Sequence, residues 1–226
     1  MTLSLKVIDR NGNTIYVANG EDFVDLVCMR TYEEGDRIEL TCSGKNCYLR
    51  WQVDDAMGAA FVYITEKTVS YQIPFGEKRI SCSPKLFYGD RHYLYAEAAR
   101  EDEIRCYRNL ALNPADQHCD VPCFPHATAN VETRGEAVFE AKNAIDGVRA
   151  NLSHGQWPYE SWGINKQDDA LMRVDFGRMV KTDKIVLYTR SDFPHDNWWV
   201  QVTISFSDGT QMDFPLEKSN TGHVLT

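Results

Sequence analysis

Short runs of β-branched and aromatic residues, each broken by turn chemistry, constrain this chain more than any single motif. They fall at 3–8, 14–18, 37–41, 61–64, 69–73, 93–98, 171–176, 184–189, 200–206 and 211–214. The breaks between them include Arg10-Asn11-Gly12-Asn13, Glu34-Gly35-Asp36, Ser43-Gly44 and Ser207-Asp208-Gly209-Thr210. Asparagine, aspartate and glycine at such points supply the backbone angles that tight turns need. Asp208-Gly209 between two alternating runs is a hairpin signal. Long amphipathic helical patterns are absent, although 136–146 groups Val138, Phe139, Ala141 and Ile145 on one side and predicts about two turns of helix. The expected fold class is all-β, of the kind built as sandwiches or jelly rolls.

At 226 residues there is enough chain for one large domain or two smaller ones. The stretch 106–126 holds Pro114, Pro122 and Pro125 and little periodicity, yet keeps Tyr107, Leu110, Leu112 and Phe124 to pack. It reads as an ordered linker between a β-sandwich at 1–105 and a second β domain at 127–226. A net charge of −9 argues against binding nucleic acid or an anionic membrane surface, either of which calls for a basic patch. No apolar run is long enough to span a bilayer, and residues 1–10 lack the pattern of a signal peptide. The seven cysteines are odd in number and scattered, so free thiols and a cytoplasmic location are expected.

One loop gathers binding chemistry. Arg190, Asp192, His195, Asp196, Trp198 and Trp199 lie within ten residues between two strand-like runs. Loops on a rigid β scaffold are where binding residues collect. A guanidinium beside an indole suits a polar, flat-faced ligand such as a sugar. Equally, a tryptophan there starts the next strand and belongs to the core, with Arg190 pairing Asp192 or Asp196. Adjacent strand residues face opposite sides, so at most one of Trp198 and Trp199 faces outward.

From Ala127 onward the order of features resembles the discoidin, or coagulation factor 5/8 type C, family of galactose-binding-like jelly rolls. The matching pieces are Ala127-Thr-Ala-Asn-Val-Glu132, Phe139-Glu-Ala-Lys-Asn-Ala-Ile-Asp-Gly147, Gly155-Gln-Trp-Pro-Tyr-Glu-Ser-Trp162, Leu171-Met-Arg-Val-Asp-Phe-Gly177, the run 180–188 and Ser205-Phe-Ser-Asp-Gly209. The resemblance implies a non-catalytic carbohydrate-binding module with its ligand on loops at one end of the barrel. The residues it puts there are Trp157, Tyr159, Trp162, Arg190, His195 and Trp198. Trp157 or Trp162 would stack on a sugar ring, Arg190 and His195 would donate to hydroxyls, and Asp192 or Asp196 would accept or orient the arginine. It also implies no required cofactor. Its Asp-Gly turn is where relatives often hold a structural Ca²⁺, with Asn143, Asp146 and Asn151 as candidate oxygen ligands. An Asx-type turn at Asp146 is the competing expectation. Residues 1–105 carry no such resemblance.

Other constellations are weaker. His118-Cys119-x3-Cys123-x2-His126 has zinc-type ligands at a spacing shorter than the usual two-knuckle site, and incidental linker residues are expected. Cys42-x4-Cys47 has no second ligand pair nearby. Asp54-Asp55 and Asp168-Asp169 are expected to be surface charge in turns rather than a glycosidase pair. No phosphate-binding glycine loop or nucleophile elbow occurs. Two readings remain: a binding protein for a carbohydrate or glycan-like ligand, or a module whose aromatic loop meets a protein partner or residues 1–105.

Overall fold

The computed structural model describes residues 1–190 and 198–226, and over these the chain is all-β. Its first half contains β1 (Thr2–Ile8), β2 (Thr14–Glu21), β3 (Phe23–Cys28), β4 (Arg37–Cys42), β5 (Cys47–Gln52), β6 (Ala60–Ile64), β7 (Thr68–Gln72) and β8 (His92–Ala98). A one-turn helix, α1 (Glu101–Arg105), follows, then β9 (Cys123–Phe124). These strands make two antiparallel sheets, one ordered β2-β1-β4-β7 and the other β3-β8-β5-β6-β9. Every second residue points inward, so Leu3, Leu5 and Val7 of β1 face Leu49 and Trp51 of β5 and Val62 and Ile64 of β6 in one core. Period-2 alternation is what allows each sheet to be apolar on one side and wet on the other.

The segment 106–126 is ordered, and its β9 end belongs to the first half. Phe124 pairs with Tyr63 and Cys123 with Ile64, so β9 is the fifth strand of the second sheet. Ala115 and Cys123 are buried in the first core. Above that sheet, the guanidinium of Arg108 lies 3.6 Å from the Phe61 ring centre and that of Arg178 lies 4.7 Å from Tyr48. Gly177, at a φ of +66°, presses against Phe124, where a Cβ would come within 2.5 Å of the ring. A side chain could not be added there without moving that junction.

The second half holds β10 (His126–Ala129), β11 (Met172–Asp175), β12 (Ile185–Leu187), β13 (Gln201–Ser205), β14 (Gln211–Pro215) and β15 (His223–Leu225). Among the described residues they form three two-stranded antiparallel ladders, β10-β11, β12-β15 and β13-β14, with no closed barrel. The Asp208-Gly209 hairpin joins β13 to β14, with the Asp208 carboxylate accepting from the Thr210 N–H at 2.9 Å. The helix expected over 136–146 is instead two 3₁₀ turns, Ala137–Phe139 and Ala141–Ala144, because Glu140 between them is extended. Val138, Ala141 and Ile145 are nevertheless buried, as that pattern requires.

Candidate functional site

The tryptophan-bearing loop of the second half is braced from several sides. At its start, the buried Asn151 amide donates to the backbone carbonyls of Thr189 (3.1 Å) and Asn220 (2.7 Å). The Arg190 guanidinium crosses the loop, one nitrogen donating to the Ser153 carbonyl and the other to that of Glu160 at 3.1 Å. Ser161 and Gly163 donate their N–H groups to Val138 and Phe139. The Trp162 indole N–H donates to the Val131 carbonyl at 2.9 Å, and its ring meets Trp199 edge-on with centres 5.6 Å apart. Trp162 also packs against the small core cluster formed by Ala127, Ala141 and Ile145.

Trp157 is placed differently. Its backbone N–H donates to the Ile80 carbonyl at 3.0 Å, which ties the loop to the first half, while the residue stays 40% exposed. Tyr159 is half-buried, with its N–H bonded to Gln156. Trp198 is 38% exposed, and the Lys218 ammonium lies 5.3 Å from its ring centre. The structure therefore gathers Trp157, Tyr159, Trp162 and Arg190 on one loop framework that meets Trp199. Arg190 and Trp162 carry contacts that hold the loop; Trp157 and Trp198 are the exposed indoles. Asp192, Asp196 and His195 lie outside the described residues.

Beneath the loop sits a pair of acids. Glu160 is 5% exposed, and its buried carboxylate oxygens find no partner other than the neighbouring Asp146 carboxyl. Burial pushes the Asp146 carboxyl up, and the charge of Glu160 beside it adds to the rise. Burial raises Glu160 as well, against the pull of Lys142 and Arg190. Two carboxyls in one poorly hydrated place favour holding a proton. The Lys142 ammonium donates to the Ser81 hydroxyl at 3.2 Å, so the acids border the contact with the first half.

The three calcium candidates make separate bonds. Asp146 accepts from the Val148 N–H at 2.7 Å in an Asx turn. The Asn143 amide donates to the Ala137 carbonyl at 2.9 Å, while its oxygen accepts from Lys142 at 3.2 Å. Asn151 is committed to Thr189 and Asn220, as above.

The two linker histidines bind separate carboxylates. His118 lies 2.8 Å from Glu132, whereas His126 lies 2.7 Å from the buried Asp116, whose other oxygen accepts from the Ala127 N–H. That bond to Asp116 raises the affinity of His126 for its proton. Cys119 is exposed and Cys123 is in the first core, so these four residues do not converge as a zinc set would.

Asp54 corrects the expectation of surface charge: it is 2% exposed and lies 3.0 Å from Nδ1 of the equally buried His92. With exposed Asp55, these are the one group among the described residues holding three potential ligand atoms within 4.8 Å. Sequence spacing gave no signal for it, since Asp54 lies in the loop after β5 and His92 opens β8. A cavity of about 490 Å³ opens elsewhere, between the linker and the β10-β11 ladder, lined by Glu66, Asp120, Phe124, His126, Arg173 and Asp175. No helix among the described residues is long and apolar enough to cross a membrane. No family model, curated protein or solved structure matches the chain.

Proposed function

We propose that this is a non-catalytic binding protein whose discoidin-like second half recognises a carbohydrate through indoles on the braced loop. The observation that carries this reading is Trp157: its backbone is fixed to Ile80, its loop is clamped by Arg190, and its indole remains 40% exposed. An aromatic ring held in place but left uncovered offers an apolar platform at little entropic cost on binding. A pyranose has an apolar face to lay on it and hydroxyls for the polar rim. In this reading Trp157 and Trp198 stack, Tyr159 borders the ligand, and Trp162 and Arg190 keep the platform rigid. The protein acts in the cytoplasm.

Tryptophan fluorescence titrated with a panel of mono- and oligosaccharides tests it. A saturable shift that disappears in Trp157→Ala or Trp198→Ala supports the site; a flat response across the panel, with and without Ca²⁺, removes it. The second reading, a protein-interaction module, draws on the bonds that already run from this region to the first half: Trp157 to Ile80, Lys142 to Ser81 and Ala137 to Glu77. A mass that rises with concentration and falls back in Trp157→Ala favours that one.

A further inference from the structure

We propose that a cavity on the outer face of the second sheet binds a small aromatic oxyanion, a single-ring carboxylate or phosphate ester, between the guanidiniums of Arg108 and Arg178. Alternation puts Tyr48 and Arg50 of β5 and Phe61 and Tyr63 of β6 on that face, opposite Leu49, Val62 and Ile64 in the core. The Tyr48 ring centre lies 5.0 Å from that of Tyr63 and 6.0 Å from that of Phe61. These three rings make one wall. Leu110, Leu112 and Phe124 of the linker and Arg178 from the segment after β11 complete a cavity of about 250 Å³. Arg50 is paired with Glu103, and neither lines the cavity.

Both cations sit on rings. The Arg108 guanidinium lies 3.6 Å from the Phe61 ring centre, and that of Arg178 lies 4.7 Å from Tyr48 and 5.1 Å from Tyr63. A guanidinium stacked on a ring keeps its N–H donors in its own plane, free of the ring beneath. On Arg178, Nη1 donates to the Phe176 carbonyl at 2.9 Å. On Arg108, Nη2 is buried and has no acceptor. A charged donor buried in that way is costly, so it calls for an acceptor from outside the chain. No aspartate or glutamate among the described residues lines this cavity, although acids outnumber bases in the sequence by 33 to 24. The cavity is thus locally positive on a negative protein.

Size and lining define the ligand. Sites for drug-sized molecules start at about 300 Å³, so this one takes a single ring. Planar guanidiniums receive carboxylate or phosphate oxygens two at a time. The ring of the ligand lies against Leu110, Leu112 and Phe124, with Tyr48 and Tyr63 beside it. Since the walls come from the sheet, the linker and the segment after β11, a bound anion ties Arg178 of the second half to the first.

Calorimetric titration of the full chain with benzoate, phenyl phosphate, inorganic phosphate and benzylamine tests this. Benzoate or phenyl phosphate should bind saturably. Inorganic phosphate, which lacks the ring, should bind about tenfold more weakly or worse, and benzylamine should not bind. Arg178→Met and Arg108→Met should each weaken the aromatic anion about tenfold or more, the scale of a lost charge-assisted bond. A melting curve checks that each variant is folded, and Arg178→Met alone decides if Arg108→Met is not. Trp157→Ala should leave anion binding unchanged, which separates this site from the saccharide site. Absence of saturable heat with both aromatic anions up to about 10 mM, beyond millimolar affinity, overturns the proposal. So does benzylamine or inorganic phosphate binding as tightly as the aromatic anions, or binding that survives Arg178→Met.

Discussion

The indole of Trp162 meets that of Trp199 at 69° with ring centres 5.6 Å apart, and this pair joins the tryptophan-bearing loop to the residue preceding Val200. Edge-to-face pairs of this kind add to simple burial. Trp162→Ala removes the pair, the bond to Val131 and the packing on Ala141, and should cost about 3 kcal/mol of stability by urea unfolding. A loss below about 1 kcal/mol would mean that the loop is not braced by this residue.

Trp157→Ala should show the opposite profile. With an indole that is largely outside the core, stability should stay within about 0.5 kcal/mol. Affinity for any responsive saccharide should fall by about 2 kcal/mol, or roughly 30-fold, as for a stacking anchor. Calorimetric titration beside an unfolding curve separates the two quantities.

Arg190→Lys tests the clamp. A guanidinium reaches the Ser153 and Glu160 carbonyls from two nitrogens at once, which a single ammonium on a flexible stem does not reproduce. The variant should lose about 1–2 kcal/mol, the scale of charged hydrogen bonds. Faster backbone amide exchange over residues 153–160 is the accompanying readout, and unchanged exchange would rule out the clamp.

The acid pair sets a pH dependence. Burial, with Glu160 beside it, raises the Asp146 carboxyl to about 8, so between roughly pH 4 and 8 the folded state holds a proton that the unfolded chain releases. Stability from this group is therefore present at low pH and declines as pH rises through that window. Asp146→Asn keeps the acceptor for the Val148 N–H and removes the titration. Its melting temperature should fall less steeply from pH 5 to 9 than that of the parent, and an identical slope would refute the assignment.

His126 titrates with the same sign from another place. Its bond to Asp116 raises the folded value above the ordinary 6.5, so the ion pair stabilises fully below that point and fades as pH climbs through the raised value. The imidazole proton resonances should report this midpoint above 6.5, and Asp116→Asn should lower it. A midpoint at or below 6.5 in the parent would contradict the pairing.

Strands were legible where one face is apolar and the other polar, as in β4, whose Ile38, Leu40 and Cys42 are buried. β3 and β5 escaped. In β3, Phe23 and Val27 are apolar on the exposed face, which hides the alternation; in β5, Arg50 interrupts the run and finds its partner in Glu103 of α1. The loop chemistry was legible as residue types, but the division of labour was not. Trp157 and Trp162 sit five positions apart in one segment, and what buries the second is Val131, Trp199 and Ala141, none of them local. The same limit applies to Asp54, whose burial depends on His92 across the sheet.

β9 gives the linker a further meaning. Two residues and the Thr65 N–H bond to Pro122 close the outer side of β6, whose Tyr63 and Ile64 would otherwise present unpaired backbone. Such an edge invites strand addition from another chain. A truncation that ends the first half at residue 105 should therefore self-associate, whereas one ending after Phe124 should stay dispersed; the modular cut lies downstream of the proline-rich stretch rather than before it.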